Sequence, residues 1–174
     1  EVYIDYHPKP LQGINGSGCN CNYSTNEMRE GREDKKGIEF IYEAIVDIAD
    51  TNSLGQSPMG QRFIVNILGG KFDGPRLKGK VLPGGADRQL VRPDGVKELD
   101  ALYEIQTNDG IVITVHNQVI IDMPSPDQRY ACSVVKFRAP AGHYEWLNKR
   151  IFVGNLESQK PSRHAVKIRV FQVN

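Results

Sequence analysis

From residue 38 the chain alternates with a period of two: Ile38, Phe40, Tyr42, Ala44, Val46 and Ile48 interleave with Glu39, Glu43, Asp47 and Asp50. That spacing predicts a strand with one buried face. Further strands are expected near 61–68, 71–82, 87–92, 97–107, 110–121, 131–138, 149–154 and 164–173. Arg92-Pro93-Asp94-Gly95 and Asn108-Asp109-Gly110 between them carry the chemistry of tight antiparallel hairpins. Only 141–148 reads as helical, and it is short. Regular short strands joined by such turns point to a sandwich or a barrel. Residues 69–87 hold six glycines between strand-like segments, and closing a sheet on itself needs this kind of sharp local coiling. The expected fold is therefore all-β: an antiparallel closed β-barrel of about eight to nine strands with one short helix near 141–148.

The first 37 residues break the pattern. They are polar, rich in Gly, Asn and Ser, and end in the charge cluster Arg29-Glu30-Gly31-Arg32-Glu33-Asp34-Lys35-Lys36. Such a composition buries too little apolar area to offset ordering entropy. The expected organisation is a loosely held N-terminal extension over 1–37, with a short strand at Val2 to Tyr6, followed by a β-barrel domain over 38–174. A length of 174 residues with 39% hydrophobic content suits one such domain.

Charge and cysteine content narrow the partners. Lys plus Arg (22) nearly balances Asp plus Glu (21), so no long-range field would hold a polyanion, and nucleic acid is not an expected partner. No apolar run approaches the ~18 residues needed to span a bilayer, so a membrane is not expected either. The chain starts at Glu1 and carries glycosylation triplets at Asn15 and Asn22, which leaves the secretory pathway or secretion open as its location. Cys19 and Cys21 are too close for an easy mutual disulfide; either reaches Cys132 only if the tail lies on the barrel, and the alternative is three free thiols. A homodimer is compatible with the chain, but nothing in it sets an oligomeric state.

Several chemistries lack their parts. Gly74, Gly79 and Lys80 fit a phosphate-binding loop, but Val81 stands where Ser or Thr would hold Mg²⁺, and Leu82-Pro83-Gly84-Gly85 cannot open the required helix. His7, His116, His143 and His164 show no metal-ligand spacing. There is no G-x-S-x-G elbow and no cysteine placed with a credible base. The chemistry expected is cofactor-free and metal-free.

The strand periodicity nominates a site. Leu99, Ala101, Tyr103 and Ile105 share one face, and Ile111, Ile113, Val115 and Asn117 another, so Asn117 ends an apolar stripe. A buried amide must be hydrogen-bonded to backbone, water or ligand. Tyr42, Tyr103 and Asn117 could project polar tips into an apolar cavity; the alternative is core tyrosines tied to backbone carbonyls. His143, beside Tyr144 and two residues before Trp146, is a candidate general base if the short helix closes one barrel end. Trp146 anchors that helix or stacks on ligand. Arg138 precedes Ala139-Pro140 at a barrel mouth, with Phe137 beside it on the same strand.

The glycine-rich run also carries a likeness. Gly69-Gly70, Phe72, Gly74-Pro75-Arg76-Leu77-Lys78-Gly79, Val81-Leu82-Pro83-Gly84-Gly85-Ala86-Asp87, Asp94-Gly95, Leu99-Asp100-Ala101, Tyr103, Thr107-Asn108-Asp109-Gly110, Asn117, Tyr144-Glu145-Trp146-Leu147-Asn148 and Phe152-Val153-Gly154 resemble the signature of the domain of unknown function 3237 family. The resemblance covers roughly 38–174 and departs at Arg88, where that family usually has Trp. It implies a small antiparallel β-barrel of the calycin or allene-oxide-cyclase kind. It also singles out Arg76 and Asp87, as ligand-binding or acid/base groups or as a structural ion pair in which Asp100 is an alternative acceptor.

Taken together, the expected catalytic residues are Tyr103, Asn117, Arg76, Asp87 and His143, with Tyr42, Asp100, Phe137, Arg138, Tyr144 and Trp146 as substrate-binding residues. The expected partner is a hydrophobic small molecule. Two functions fit: a cofactor-free isomerase or cyclase (or lyase) acting on a hydrophobic secondary metabolite by shape and hydrogen bonds, or a non-catalytic carrier of lipocalin type.

Overall fold

A computed structural model describes residues 2–4, 23–25 and 37–174, apart from 126–127. The chain divides into two compact units, Glu1–Gly37 and Ile38–Asn174. In the first, β1 (Val2–Ile4) pairs antiparallel with β2 (Tyr23–Thr25). The first of these strands lies within the segment expected to be extended. His7, the Asn15 and Asn22 triplets, and Cys19 and Cys21 lie outside the described residues, and Cys132 is exposed and makes no disulfide among the described residues.

The second unit is built from nine antiparallel strands: β3 (Ile38–Ser57), β4 (Gly60–Asp73), β5 (Gly79–Val81), β6 (Ala86–Val91), β7 (Lys97–Thr107), β8 (Val112–Ser125), β9 (Gln128–Arg138), β10 (Ile151–Ser158) and β11 (Ala165–Val173). Pairing runs β3-β11-β10-β9-β8-β7, crosses to β4 through β5 and β6, and returns to β3. The hydrogen-bonded ladder thus comes back to its start and leaves no long unpaired edge. β5 and β6 share one place in the ring: each pairs with both β4 and β7, at different heights. The break between them is the turn Leu82–Gly85. Gly85 within it packs so tightly that an added Cβ would lie 2.4 Å from the Tyr103 Cβ.

The elements match the period-two reading, with three instructive departures. The strands expected at 61–68 and 71–82 are instead one long strand, β4, plus the short β5. Gly69 and Gly70 do not end β4, because both take positive φ inside it, which lets the strand coil and continue. An added Cβ on Gly70 would strike the Ile45 carbonyl oxygen at 2.1 Å. Second, the register between β3 and β11 shifts at Val170/Phe171, where Tyr42 faces Val170 but Phe40 faces Phe171, so Ile41 is an inserted residue. A one-residue slip exchanges the faces of a strand. Ile38 and Phe40 are accordingly exposed, while Ile41, Tyr42, Ala44 and Val46 are buried. Third, the helix expected over 141–148 is one 3₁₀ segment, Glu145–Lys149, which buries Leu147.

Inward-facing residues make one continuous core from Ile41 and Tyr42 through Leu99, Ala101, Tyr103 and Ile105 to Phe137, Phe152, Ile168 and Val170. The four residues of β7 chosen from the alternation all face inward. One end of the barrel is filled with rings: Tyr42 packs on Phe72 and Phe137, Phe137 meets Phe152 edge-to-face at 4.9 Å, and Trp146 covers Phe152. The other end is not filled.

Candidate functional site

The hollow end is a cavity of ≈ 260 Å³. Its walls are apolar, with Val46, Ile48, Val65, Ile67, Leu99, Val119, Ile121, Leu156, Val166 and Ile168 contributed by six strands. The sheet register explains where its polar groups fall. In one row across the barrel, Val65 faces Asp87, Asp87 faces Ala101, and Ala101 faces Asn117. Asp87 and Asn117 therefore stand two strand spacings apart, about 9–10 Å between backbones, on either side of the small Ala101 side chain. In the adjacent row, Gln89 faces Leu99. A larger residue at 101 would fill the gap; a methyl group leaves a polar corner open inside an otherwise hydrocarbon wall.

This corner is under-satisfied. The Gln89 side-chain amide donates to Asp87 Oδ2 at 2.6 Å. Asp87 Oδ1, Gln89 Oε1 and Asn117 Oδ1 are all buried with no hydrogen-bond partner among the described residues. Buried acceptors left unmet cost about 1–3 kcal/mol each, so three around one cavity call for donors from solvent or ligand. Burial raises the Asp87 carboxyl to a pKa of about 6, against the opposing effects of the Gln89 hydrogen bond and the nearby positive charge of Lys97. Burial likewise lowers the Lys97 pKa, partly offset by Asp87 and reinforced by the charge of Lys160. A carboxyl group raised to a pKa of about 6 inside an apolar cavity, ionised for the most part at neutral pH yet a stronger base than an exposed carboxylate, can both take and return a proton.

The expected site residues separate into three places. Asp87 and Asn117 converge on the cavity. Tyr42, Tyr103 and Phe137 lie in the packed core instead and do not line it. Burial drives the pKa of both tyrosines up, and each hydroxyl feels the other, while Tyr42 Oη meets no hydrogen-bond partner among the described residues. The remaining residues lie outside the cavity. Arg76 stacks over the Trp146 ring at 3.7 Å and reaches Glu39 at 3.6 Å, so it is not paired with Asp87. His143 is exposed and rests edge-on against Tyr144, whose hydroxyl donates to Asp109 at 3.1 Å. Asp100 is exposed on the outer face of β7, bound to His116 at 2.6 Å, because it is one residue out of phase with Leu99 and Ala101. Arg138 is exposed at the end of β9 for the same reason of phase.

Sequence reasoning missed Gln89 and Lys97. The signal for Gln89 was present: it shares a strand face with Asp87 two residues earlier, and two polar residues on the inward face of a short strand mark a wet interior. A second, larger hollow of ≈ 790 Å³ lies on the outer wall, where Leu54, Met59, Leu90, Ile120 and Val134 meet Arg88, Asp100 and Lys136. Its charged groups are solvated, and it holds no buried polar side chain aimed at a ligand beyond Gln89, which it shares with the cavity.

The family described as protein of unknown function (DUF3237) matches residues 37–173. The chain belongs to this family. A UPF0311 protein of Rhodopseudomonas palustris is 34% identical over 150 residues, spanning 78% of this chain and 95% of the relative. The crystal structure of that conserved protein of unknown function superposes with a TM-score of 0.72 at 33% identity, covering 79% of this chain and 97% of it. A β-barrel-like protein from Acinetobacter baumannii gives a TM-score of 0.74 at 27% identity, covering 79% and 96%. An enzyme from Penicillium herquei gives 0.65 at 25% identity, covering 79% and 94%. A stretch of 44 residues, a quarter of the chain, is 54% identical to 11% of a putative glutamine synthetase of Acanthamoeba polyphaga mimivirus, too small a part of that protein to carry its activity here. The fold and family are thereby fixed, and structural neighbours of this DUF3237 barrel include an enzyme.

Proposed function

We propose that this DUF3237 barrel is a cofactor-free isomerase or cyclase that moves a proton on a compact, largely apolar substrate, with Asp87 as the proton-transfer group. The observation that carries this reading is the Asp87 carboxyl itself: buried on the cavity wall, one oxygen unpartnered, and poised near pH 6. In the ionised form it can take a proton from a carbon next to a carbonyl, leaving an enolate and a neutral carboxyl, and return the same proton to another carbon of the conjugated system. The step is redox-neutral and needs no co-reactant. Gln89 Oε1 and Asn117 Oδ1 are acceptors, suited to a hydroxyl elsewhere on the substrate's inner end. The volume of ≈ 260 Å³ lies just under the ~300–1,000 Å³ of drug-sized sites, so the cavity suits a compact molecule or one end of a larger one. Penicillium herquei's enzyme, on the same fold, adds support by likeness.

The test is deuterium wash-in. Cyclic ketones and 1,3-dicarbonyl compounds of increasing size are incubated with the protein in D₂O, and exchange at carbon is followed by NMR. Wild type should accelerate exchange for a size-limited subset, Asp87→Asn should lose at least 100-fold of that acceleration, and Ala101→Leu should exclude the larger members. Binding without any accelerated exchange would overturn the catalytic reading and leave a carrier.

A further inference from the structure

The cavity's acidic group is deep, but its mouth is basic. Lys97 at the start of β7, Arg129 near the start of β9 and Lys160 in the loop from β10 to β11 all line the same hollow, and Lys97 and Lys160 stand close enough for the second to disfavour the charge of the first. Arg129 is fixed by donating to the Leu156 carbonyl at 2.7 Å. Neither lysine makes an ion pair among the described residues. Of the carboxylates near the β3 part of this end, Asp47 is engaged with Arg163 at 2.8 Å, and Asp50 points into solvent, 3.7 Å from His164. Three cations around one opening, with Asp87 their one acidic counterpart on the cavity wall, are a local surplus in a chain whose overall charge is only +1. Like charges held together cost free energy unless an anion joins them.

We infer that the barrel binds amphiphilic organic anions, the carboxylate or phosphate end held at the mouth by Lys97, Lys160 and Arg129 and the apolar body pointing inward to Asp87 and Asn117. This rests on the small-molecule reading above and narrows it to a substrate class. The depth order makes physical sense: the anionic group keeps partial contact with water and with partly exposed cations, where a charge-assisted pair is not burdened by full desolvation. The uncharged end enters the hydrocarbon wall and meets the unpartnered acceptors. It also sets orientation, because a ligand entering the other way round would bring its anion against Asp87.

The experiment compares 3-phenylpropanoate with 3-phenylpropanol, two probes of one shape that differ in charge, by amide NMR titration of the ¹⁵N-labelled full chain, reading the Gln89 and Asn117 side-chain signals. 3-Phenylpropyl phosphate serves as a third arm, to rank the two anionic groups. The acid is expected to bind at least tenfold more tightly than the alcohol, to weaken as salt rises from 20 to 200 mM and the screening length shrinks from roughly 20 to roughly 7 Å, and to lose its preference in Lys97→Met/Lys160→Met. Should that double variant fold poorly, Lys160→Glu on the exposed loop is read in its place and should show the same loss. Equal binding of acid and alcohol, with both moving the cavity signals, would overturn the anion inference and leave the small-molecule cavity standing. If no probe moves those signals at any concentration, both fall.

Discussion

The two ends of this barrel are made from the same strands but solve the interior differently. At the end where β3, β9 and β10 place Tyr42, Phe137 and Phe152, aromatic rings interlock edge-to-face, and Leu147 of the 3₁₀ segment is buried against them. At the other, Val46, Val65, Ala101 and Val119 are too small to meet across the ring, and Asp87, Gln89 and Asn117 interrupt the hydrocarbon. One half holds the fold together, and the other gives up packing to keep a polar hollow open. Burying large rings is worth more than lining a wall with methyl groups, both in area and in ring–ring geometry.

The sharpest way to break that comparison is to truncate one residue at each end. Phe152→Ala removes a fully buried ring from the packed end and should cost about 3–5 kcal/mol. Val119→Ala, at the hollow end, removes fewer atoms beside space that already exists and should cost about 1 kcal/mol. Urea unfolding of both variants measures the difference. Equal losses would mean that the hollow end carries as much of the stability as the packed one.

A smaller effect, of opposite sign, is expected at Asp87. Its carboxyl rises from 3.8 to about 6 on folding, so between these values the native state holds a proton that the unfolded chain has lost. Stability from this group is undiminished below pH 4, falls as pH rises through 4–6, and stays reduced above. A shift of about two units corresponds to about 3 kcal/mol. Asp87→Asn, which keeps the shape without the charge, should therefore stabilise the protein by up to about 3 kcal/mol at pH 8 and by little at pH 4. Guanidinium unfolding at the two pH values checks it, and a variant that is destabilised at pH 8 would show that the ionised carboxylate is held by favourable partners after all.

Most of the barrel was legible because its strands obey one rule. Leu99, Ala101, Tyr103 and Ile105 are inward-facing simply because a buried face repeats every second residue, and the Asn117 amide stood out as the polar end of such a stripe. The rule fails where the backbone inserts a residue: no local signal in Ile38-Glu39-Phe40-Ile41-Tyr42 announces the bulge that turns Ile38 and Phe40 outward. The site was only half legible for a related reason. Alternation tells which face a residue takes, but not its height along the barrel, and height separates Asp87 and Asn117 at the hollow end from Tyr42 and Tyr103 in the packed one. That distinction depends on cross-strand register, which joins residues such as Asp87, Ala101 and Asn117 from three different strands.

The smallest expected effect concerns the outside of the packed end, where Arg76 lies over the Trp146 ring at 3.7 Å and near Glu39 at 3.6 Å. Arg76 was a candidate catalytic group, yet its surroundings are those of a clasp: the turn between β4 and β5 is held against the 3₁₀ segment that buries Leu147. A partly exposed cation over the half-buried Trp146 ring contributes about 0.5–1 kcal/mol, and a partly exposed ion pair adds little more. Arg76→Ala should therefore lower stability by about 1 kcal/mol, while Arg76→Lys, which keeps the charge but not the flat stacking surface, should lose part of that. Both variants should leave deuterium wash-in at the cavity within twofold of wild type. Loss of exchange with stability intact would instead place Arg76 in the chemistry and make the packed end, with its stacked Trp146, part of the working site.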